Sequence, residues 1–218
     1  MRWPAGWCAV GLAAVAVVAH GGGRPEHIPA AEVDHSAQVS RRGAEVDVVL
    51  PAHRGQELLE AVESGLSSRV SFELRLYRRR SGLMGIFGDQ VLGEARVSHR
   101  ASYAPLNDEY LLEVTRRHRG RDLPVAQSTV LARFDDRDRF RDALLSISDE
   151  LVWPLQGDAA ATDDVSIRFG GGEAYLSFRV LVQPVVLDPP LHIVSMFGRG
   201  SHATGWVKLP LRAPAPQP

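Results

Sequence analysis

Thiols are almost missing from this chain of 218 residues: its one cysteine, Cys8, lies near the start of an N-terminal apolar stretch. Without that stretch nothing remains for a disulfide, a zinc site or a thiol nucleophile. Lysine is nearly absent too, since Lys208 is the only one among 25 basic residues, a skew that nothing in a fold demands. A surplus of either charge is lacking: 25 bases face 26 acids for a net charge of −1, which argues against a dedicated nucleic-acid binder. Past residue 20 there is no long hydrophobic run, which excludes a multi-pass membrane protein. A hydrophobic fraction of 44% and a charged fraction of 23% exclude disorder throughout. No internal repeat is present.

What is there begins with Met1-Arg2-Trp3-Pro4, one positive charge, followed by an apolar run from Trp7 to Ala19 that His20 and three glycines end. That is the layout of an export signal, and the run is shorter than the roughly 20 apolar residues a spanning helix needs. Residues 1–20 are therefore expected to be a signal peptide or an N-terminal anchor. Cys8 does not follow the run, so no lipoprotein-type cleavage site is expected. The expected location is exported: the periplasm or the outer face of the cytoplasmic membrane. Residues 21–42 mix Gly, Pro, Ala, His and acids with no sustained period and read as a flexible linker. His20, His27 and His35 are too widely spaced to suggest a metal-binding tail.

From Gly43 the pattern changes. Ala44, Val46, Val48 and Leu50 alternate with Glu45 and Asp47 as a half-buried strand that Pro51 stops. Leu58, Leu59, Val62 and Leu66 recur at helical spacing, with Gly65 placed to end the helix. Val70, Phe72, Leu74 and Leu76 face one way from a second strand while Ser71, Glu73, Arg75 and Tyr77 face the other. A third strand sets Val91, Ala95, Val97, Ala101 and Tyr103 against Glu94, Arg96, Ser98, Arg100 and Ser102. After a turn at Pro105-Leu106-Asn107-Asp108, a fourth carries Tyr110, Leu112 and Val114 on one face. Short connections make these three an antiparallel meander with one apolar face and one charged face.

Val125–Phe134 is a weaker strand. Asp135 or Asp136 caps a second helix whose stripe is Phe140, Ala143, Leu144, Ile147 and Leu151. Val165, Ile167 and Phe169 run into three glycines and are answered by Leu176, Phe178, Val180 and Val182, which predicts a hairpin. Trp206–Leu209 is a last strand. The expected fold is a single α+β domain over residues 43–211, mainly antiparallel β-sheet of about seven strands with two helices packed on it, followed by a Pro-rich tail over 212–218. Gly93, Ala95 and Ala101 are small on the apolar face. They let a helix sit close, or else leave room for an apolar, lipid-like ligand between sheet and helix.

The order "AEVDVVLP", then "ELLEAVESGLSSRVSFELRLYRRR", a long alternating strand, the Phe140 helix ending in "LVWPL", "AYLSFRVLVQP" and "GWVKLPL" resembles a bacterial family, domain of unknown function 4390. The likeness covers Ala44 to Leu211. It implies an exported or membrane-anchored protein, with no family activity or catalytic residue to carry over. Many members are encoded beside a membrane sensor histidine kinase, which implies envelope signalling and such a kinase as a partner. One departure stands out: the loop after "LYRRR" is often rich in tryptophan in the family and here reads Ser81-Gly82-Leu83-Met84-Gly85-Ile86-Phe87-Gly88.

Catalytic signals are weak. Gly198-x-Gly200-x-x-Ala203 matches a dinucleotide-type string by letter but leads into a strand, so no helix N-terminus meets a phosphate. Ser201 and His202 are neighbours whose side chains diverge in an extended segment. Asp135, Asp136, Asp138 and Asp142 lack the Gly and Glu of a calcium loop, whose positions Arg141 and Ile147 occupy; they suit a helix start, with Arg139 and Asp142 one turn apart for pairing. His53, His99, His118, His192 and His202 lie in separate elements. No enzyme activity, catalytic residue, metal or cofactor is expected, and no nucleic acid.

Two basic clusters are the remaining signal: Arg78, Arg79 and Arg80, and Arg116, Arg117, His118 and Arg119 with Arg121. In a meander the second and fourth strands finish at the same end of the sheet, which brings the clusters together. Between them projects the loop carrying Leu83, Met84, Ile86 and Phe87. Apolar side chains ringed by arginines fit an interfacial contact, with apolar atoms in the acyl boundary and guanidiniums on phosphate. The segment Ile193–Arg199 has the same character. The expected partner is a membrane surface or an envelope protein.

Overall fold

The computed structural model describes residues 26–40, 43–80, 88–120, 125–154, 173–186 and 201–211. Its elements run β1 (Glu26–Ile28), β2 (Asp34–Val39), β3 (Gly43–Val49), α1 (His53–Glu63), β4 (Ser67–Arg78), β5 (Gln90–Ala104), β6 (Glu109–Gly120), β7 (Ala126–Phe134), α2 (Arg137–Leu145), β8 (Ser146–Pro154), β9 (Ala174–Val186), β10 (His202–Thr204) and β11 (Val207–Pro210). The chain is thus sheet-dominated and mostly antiparallel, with two helices.

The large sheet has the order β1-β10-β9-β4-β5-β6-β7, and β11 pairs β9 beside β10. β4, β5, β6 and β7 are successive antiparallel neighbours. β1 lies parallel to β10, which makes this sheet mixed. A smaller sheet has the order β2-β3-β8. One face of the large sheet meets α1 over β4, β5 and β9, α2 over β5, β6 and β7, and β8 of the small sheet over β4 and β5. Phe72, Leu74 and Leu76 of β4, Val97 of β5, Phe178 of β9, Leu58 and Leu59 of α1 and Phe140 and Leu144 of α2 are all buried in the resulting core. The small residues Gly93, Ala95 and Ala101 lie on that covered face, beneath the packed helices and β8.

The helix ends follow local chemistry. Gly65 adopts φ +83, its N–H donates to the Val62 carbonyl, and the Leu66 N–H donates to that of Ala61. Such a left-handed closure favours glycine, as the sequence indicates. Asp136 caps α2 by accepting from the Arg139 N–H at 2.7 Å.

Three expectations are corrected. First, the stretch read as a linker carries β1, a short 3-10 turn (Ala30–Glu32) and β2, and it buries Ile28, Val33, Ala37 and Val39. Strands of three and six residues broken by a turn are too short to show a period. Second, α2 ends at Leu145, and Ile147 and Leu151 belong to β8, paired with Val48 and Glu45 of β3. A register shift hides the alternation: Asp149 takes φ +51 and its N–H donates to Asp47 Oδ1 at 2.8 Å, so apolar residues fall four apart by a bulge and not by a helix turn. Third, a shift between Leu76 and Tyr77 pairs Tyr77 with Val91, so Val91 is turned to the face opposite Ala95. Eleven strands among the described residues exceed the seven or so expected for the same reasons. The strand proposed at 165–169 lies outside the described residues, as do residues 1–25 and 212–218.

Candidate functional site: an arginine-rich open sheet face

The second face of the large sheet is lined by the odd-numbered residues of β4 and β9 and by their partners. Cross-strand register builds its rows. Arg179, Glu73, Arg96, Arg117 and Gln127 form one, across β9, β4, β5, β6 and β7. Ser177, Arg75, Glu94 and Arg119 form the next, with Lys208 of β11 beyond Ser177. Opposed acids tie part of this basic surface together. Glu73 Oε2 accepts from Arg179 at 2.6 Å and 3.1 Å, and Arg75 pairs with Glu94 at 3.1 Å. Arg96 is 3.8 Å from Glu73.

Glu73, Arg75, Glu94, Arg96, Arg117 and Arg119 surround an open depression of about 250 Å³. Among the described residues neither Arg117 nor Arg119 forms an ion pair, and both are exposed. Four guanidiniums against two carboxylates leave this depression with a surplus of two positive charges. Trp206 extends the surface, its ring 4.4 Å from the Arg75 guanidinium carbon and 5.2 Å from that of Arg179.

The two predicted basic clusters do finish at one end of the sheet. Arg78 is paired with Gln90 and Gly120 with Gly93, so the last residues of β4 and β6 flank the start of β5. Their side chains do not act as one group. Arg78 donates to Gln90 Oε1 at 2.6 Å, and Arg79 pairs with Glu173 at 2.7 Å. The Arg80 N–H donates to Asp89 Oδ1 at 3.4 Å. Tyr175 completes the anchor by donating its hydroxyl to Asp89 Oδ2 at 2.6 Å. That bond, with the Arg80 N–H, holds the Asp89 carboxyl below its usual range. Burial first, and then Asp89, pushes the Tyr175 phenol up to about 12.

Strand alternation divides the second cluster. Arg117 and Arg119 point to the open face, whereas Arg116 and His118 continue the row of Leu112 and Val114 on the covered face. There Arg116 Nε donates to Glu150 Oε2 at 3.0 Å, and His118 Nε2 lies 3.4 Å from Oε1 of the same carboxylate. Glu150 comes from β8 and is buried, so Arg116 joins the two sheets. Its placement beside Arg117 at a surface is corrected accordingly. Leu83, Met84, Ile86 and Phe87 lie outside the described residues, as do Arg121 and the Ile193–Arg199 segment.

Elsewhere, Asp142 pairs with Arg141 at 3.0 Å and not with the Arg139 expected, and Asp138 pairs with the same Arg141 at 2.8 Å. Among the described residues no group of three or more His, Cys, Asp or Glu is placed to hold a metal ion. Sequence reasoning misses Arg75, Arg96 and Trp206 as site residues because they are distant along the chain. The signal that finds them is strand register.

With the geometry in place, the family model described as Domain of unknown function (DUF4390) matches residues 27–206. The chain belongs to this family. The match begins inside β1 and reaches Trp206, so it takes in both helices, the small sheet and the large sheet except β11, with the arginines of the open face. No curated protein and no solved structure matches the chain. Among the described residues no helix of this DUF4390 member is long and apolar enough to cross a membrane.

Proposed function

We propose that this member of the family is an exported, non-enzymatic envelope protein whose arginine-rich sheet face and adjoining 81–88 loop contact an anionic membrane surface. The observation that carries the reading is the pair of exposed guanidiniums of Arg117 and Arg119, without an ion pair among the described residues, beside Arg75 and Arg96. Guanidiniums bind phosphate through two parallel N–H···O bonds, and paired rows of them suit a layer of headgroups better than one small anion. The segment carrying Met84 and Phe87 joins Arg80 to Asp89 along the chain, and its apolar side chains suit the acyl boundary. The N-terminal sequence, where a basic start precedes an apolar run of signal length, supports the export in this reading.

The test is liposome flotation of residues 24–218, without the apolar N-terminus, on anionic and on neutral vesicles. The expected result is binding that needs anionic lipid and is lost in both Arg117→Glu/Arg119→Glu and Met84→Asp/Phe87→Asp. Unchanged flotation of the folded arginine variant overturns the reading. Absence of binding by the unsubstituted protein overturns it too, and turns the same face toward an acidic envelope protein.

A further inference from the structure

The open face is not uniform across its strands. The half built on β5 and β6 carries Arg96, Arg117 and Arg119, whereas the half built on β4, β9 and β11 carries aromatic rings with cations laid over them. Tyr77 and Tyr175 are register partners and stack, with ring centroids 5.2 Å apart and planes inclined by 12°. Lys208 Nζ lies 5.0 Å from the centre of the Tyr175 ring. Trp206 precedes Val207, the partner of Phe178, and so stands beside Arg179 at the end of the row that runs through Glu73 and Arg96 to Arg117. The guanidiniums of Arg75 and Arg179 lie over its ring, yet Trp206 stays 38% exposed. The core has no need of this ring, since Phe72, Phe140 and Phe178 fill it from the covered side.

We propose that Trp206 sets the depth of the membrane contact: its indole seats at the boundary between headgroups and acyl chains, while Arg75 and Arg179 beside it hold the phosphates. The inference rests on the reading of the open face as a membrane contact and adds the residue that fixes how that face sits. Indole is a broad apolar ring with one N–H that wants a polar partner, which is why tryptophan collects at the membrane interface. A guanidinium over a ring is drawn by its charge, so its N–H donors remain for phosphate oxygens. Neighbouring strands lie about 4.8 Å apart, so Trp206 and Arg117, at the two ends of a row over five strands, are separated by roughly 19 Å. A layer of phosphates above an apolar interior meets both ends at once. A free anion in the depression reaches Arg117 but offers the indole nothing, so the lipid layer is the occupant that uses the whole row.

The test uses the full-length chain with Trp3→Phe, Trp7→Phe and Trp153→Phe, in which Trp206 is the sole tryptophan. The probes are vesicles of phosphatidylglycerol or of phosphatidylcholine whose acyl chains carry bromine close to the headgroup. On the anionic vesicles Trp206 emission is expected to move to shorter wavelength and to be quenched by the bromine; on the neutral ones neither change is expected. A second chain adds Trp206→Phe and Val49→Trp, which moves the reporter to an exposed position on the small sheet, behind the covered face. Its emission is expected to be alike and unquenched on both vesicles. In flotation of residues 24–218, which hold every described residue, Trp206→Ala is expected to bind anionic vesicles about tenfold more weakly, the worth of roughly 60 Å² of apolar area removed from water. Trp206→Phe is expected to keep most of the affinity. Unquenched Trp206 emission, while residues 24–218 still float with anionic vesicles, overturns the inference and leaves the membrane contact standing. Quenching as strong in the Val49→Trp chain overturns it as well, as does undiminished affinity of Trp206→Ala. Failure of the unsubstituted residues 24–218 to float with anionic vesicles overturns the contact and the inference together.

Discussion

β4, β5 and β6 present two faces built from alternate residues of the same strands, and the two are held by different forces. On the covered face, Phe72, Leu74, Val97 and Leu112 are buried against α1, α2 and β8. Apolar area removed from water, about 25 cal/mol per Å², stabilises that side. On the open face Glu73, Arg75, Glu94, Arg96, Arg117 and Arg119 meet water, and their pairings are set by register. Screened ion pairs of this kind contribute roughly 0–1 kcal/mol each. The covered face therefore fixes the fold, and the open face is free to vary in charge and so to carry recognition. Neighbouring residues show the contrast at its sharpest: Arg116 clamps a buried carboxylate while Arg117 extends into solvent.

The largest effect expected from this contrast is that of Phe72→Ala. Phe72 is fully buried and packs edge-on against His99 with ring centroids 5.4 Å apart. Truncation leaves a cavity and is expected to cost about 3–5 kcal/mol in a urea denaturation. Arg96→Ala, on the other face of the partner strand, is expected to cost less than about 1 kcal/mol. Similar losses for the two would break the comparison.

Next in size is the pair Arg116→Met and Arg117→Met. The first leaves the buried Glu150 carboxylate without its guanidinium and is expected to destabilise by about 2 kcal/mol, below the usual range for a fully buried pair because Arg116 is partly reached by solvent. The second is expected to fall within about 0.5 kcal/mol of the parent. Arg116→Met combined with Glu150→Leu is expected to recover most of the loss, since no charge is then stranded. A double variant as unstable as Arg116→Met alone would place the defect in packing and not in charge.

His99 supplies a smaller, pH-dependent contrast. It is buried on the covered face, and its Nδ1–H donates to the Leu144 carbonyl at 3.0 Å. Burial lowers its pKa below 6.5; the Leu144 carbonyl opposes that shift and the nearby Arg116 charge adds to it. As pH falls, the unfolded chain takes up this proton first, so stability is expected to decline from about pH 6.5 downward and to be unaffected by this group above it. His99→Gln is expected to start less stable and to show a shallower decline in urea midpoints from about pH 7 to about pH 5. Equal slopes in the two proteins would remove His99 as the cause.

These contrasts also mark what the sequence reveals. Alternation in β4 and β5 separates the two faces correctly from Val70 to Tyr77 and from Glu94 to Tyr103, because each face of a long strand meets one environment throughout. It fails where a bulge changes the count, at Val91 and at Asp149. Family membership is legible from the same hydrophobic order. The site is legible only in part. The meeting of the strand ends follows from short connections, but which arginine of a run faces solvent depends on what covers the sheet. That cover is β8, whose residues read as the end of a helix. Sequence alone therefore groups Arg116 with Arg117, although Glu150 claims it.

The smallest change in stability is expected where the change in function is greatest, at Arg117→Glu/Arg119→Glu. Both side chains are exposed and make no ion pair among the described residues, so the fold loses nothing when they go. Reversal at position 119 does set a new carboxylate beside Glu94 across the strand pair, which costs a few tenths of a kcal/mol in water. The net effect on the urea midpoint is expected to correspond to about 0.5 kcal/mol or less. The depression, however, changes from a surplus of two positive charges to a deficit of two, since two guanidiniums become two carboxylates. On the proposed reading, attraction to an anionic surface then becomes repulsion, and raised salt is expected to weaken flotation of the parent and to make little difference to the variant. A folded variant that still floats with anionic vesicles would show that the open face is as structural as the covered one, and the distinction between them would lose its functional half.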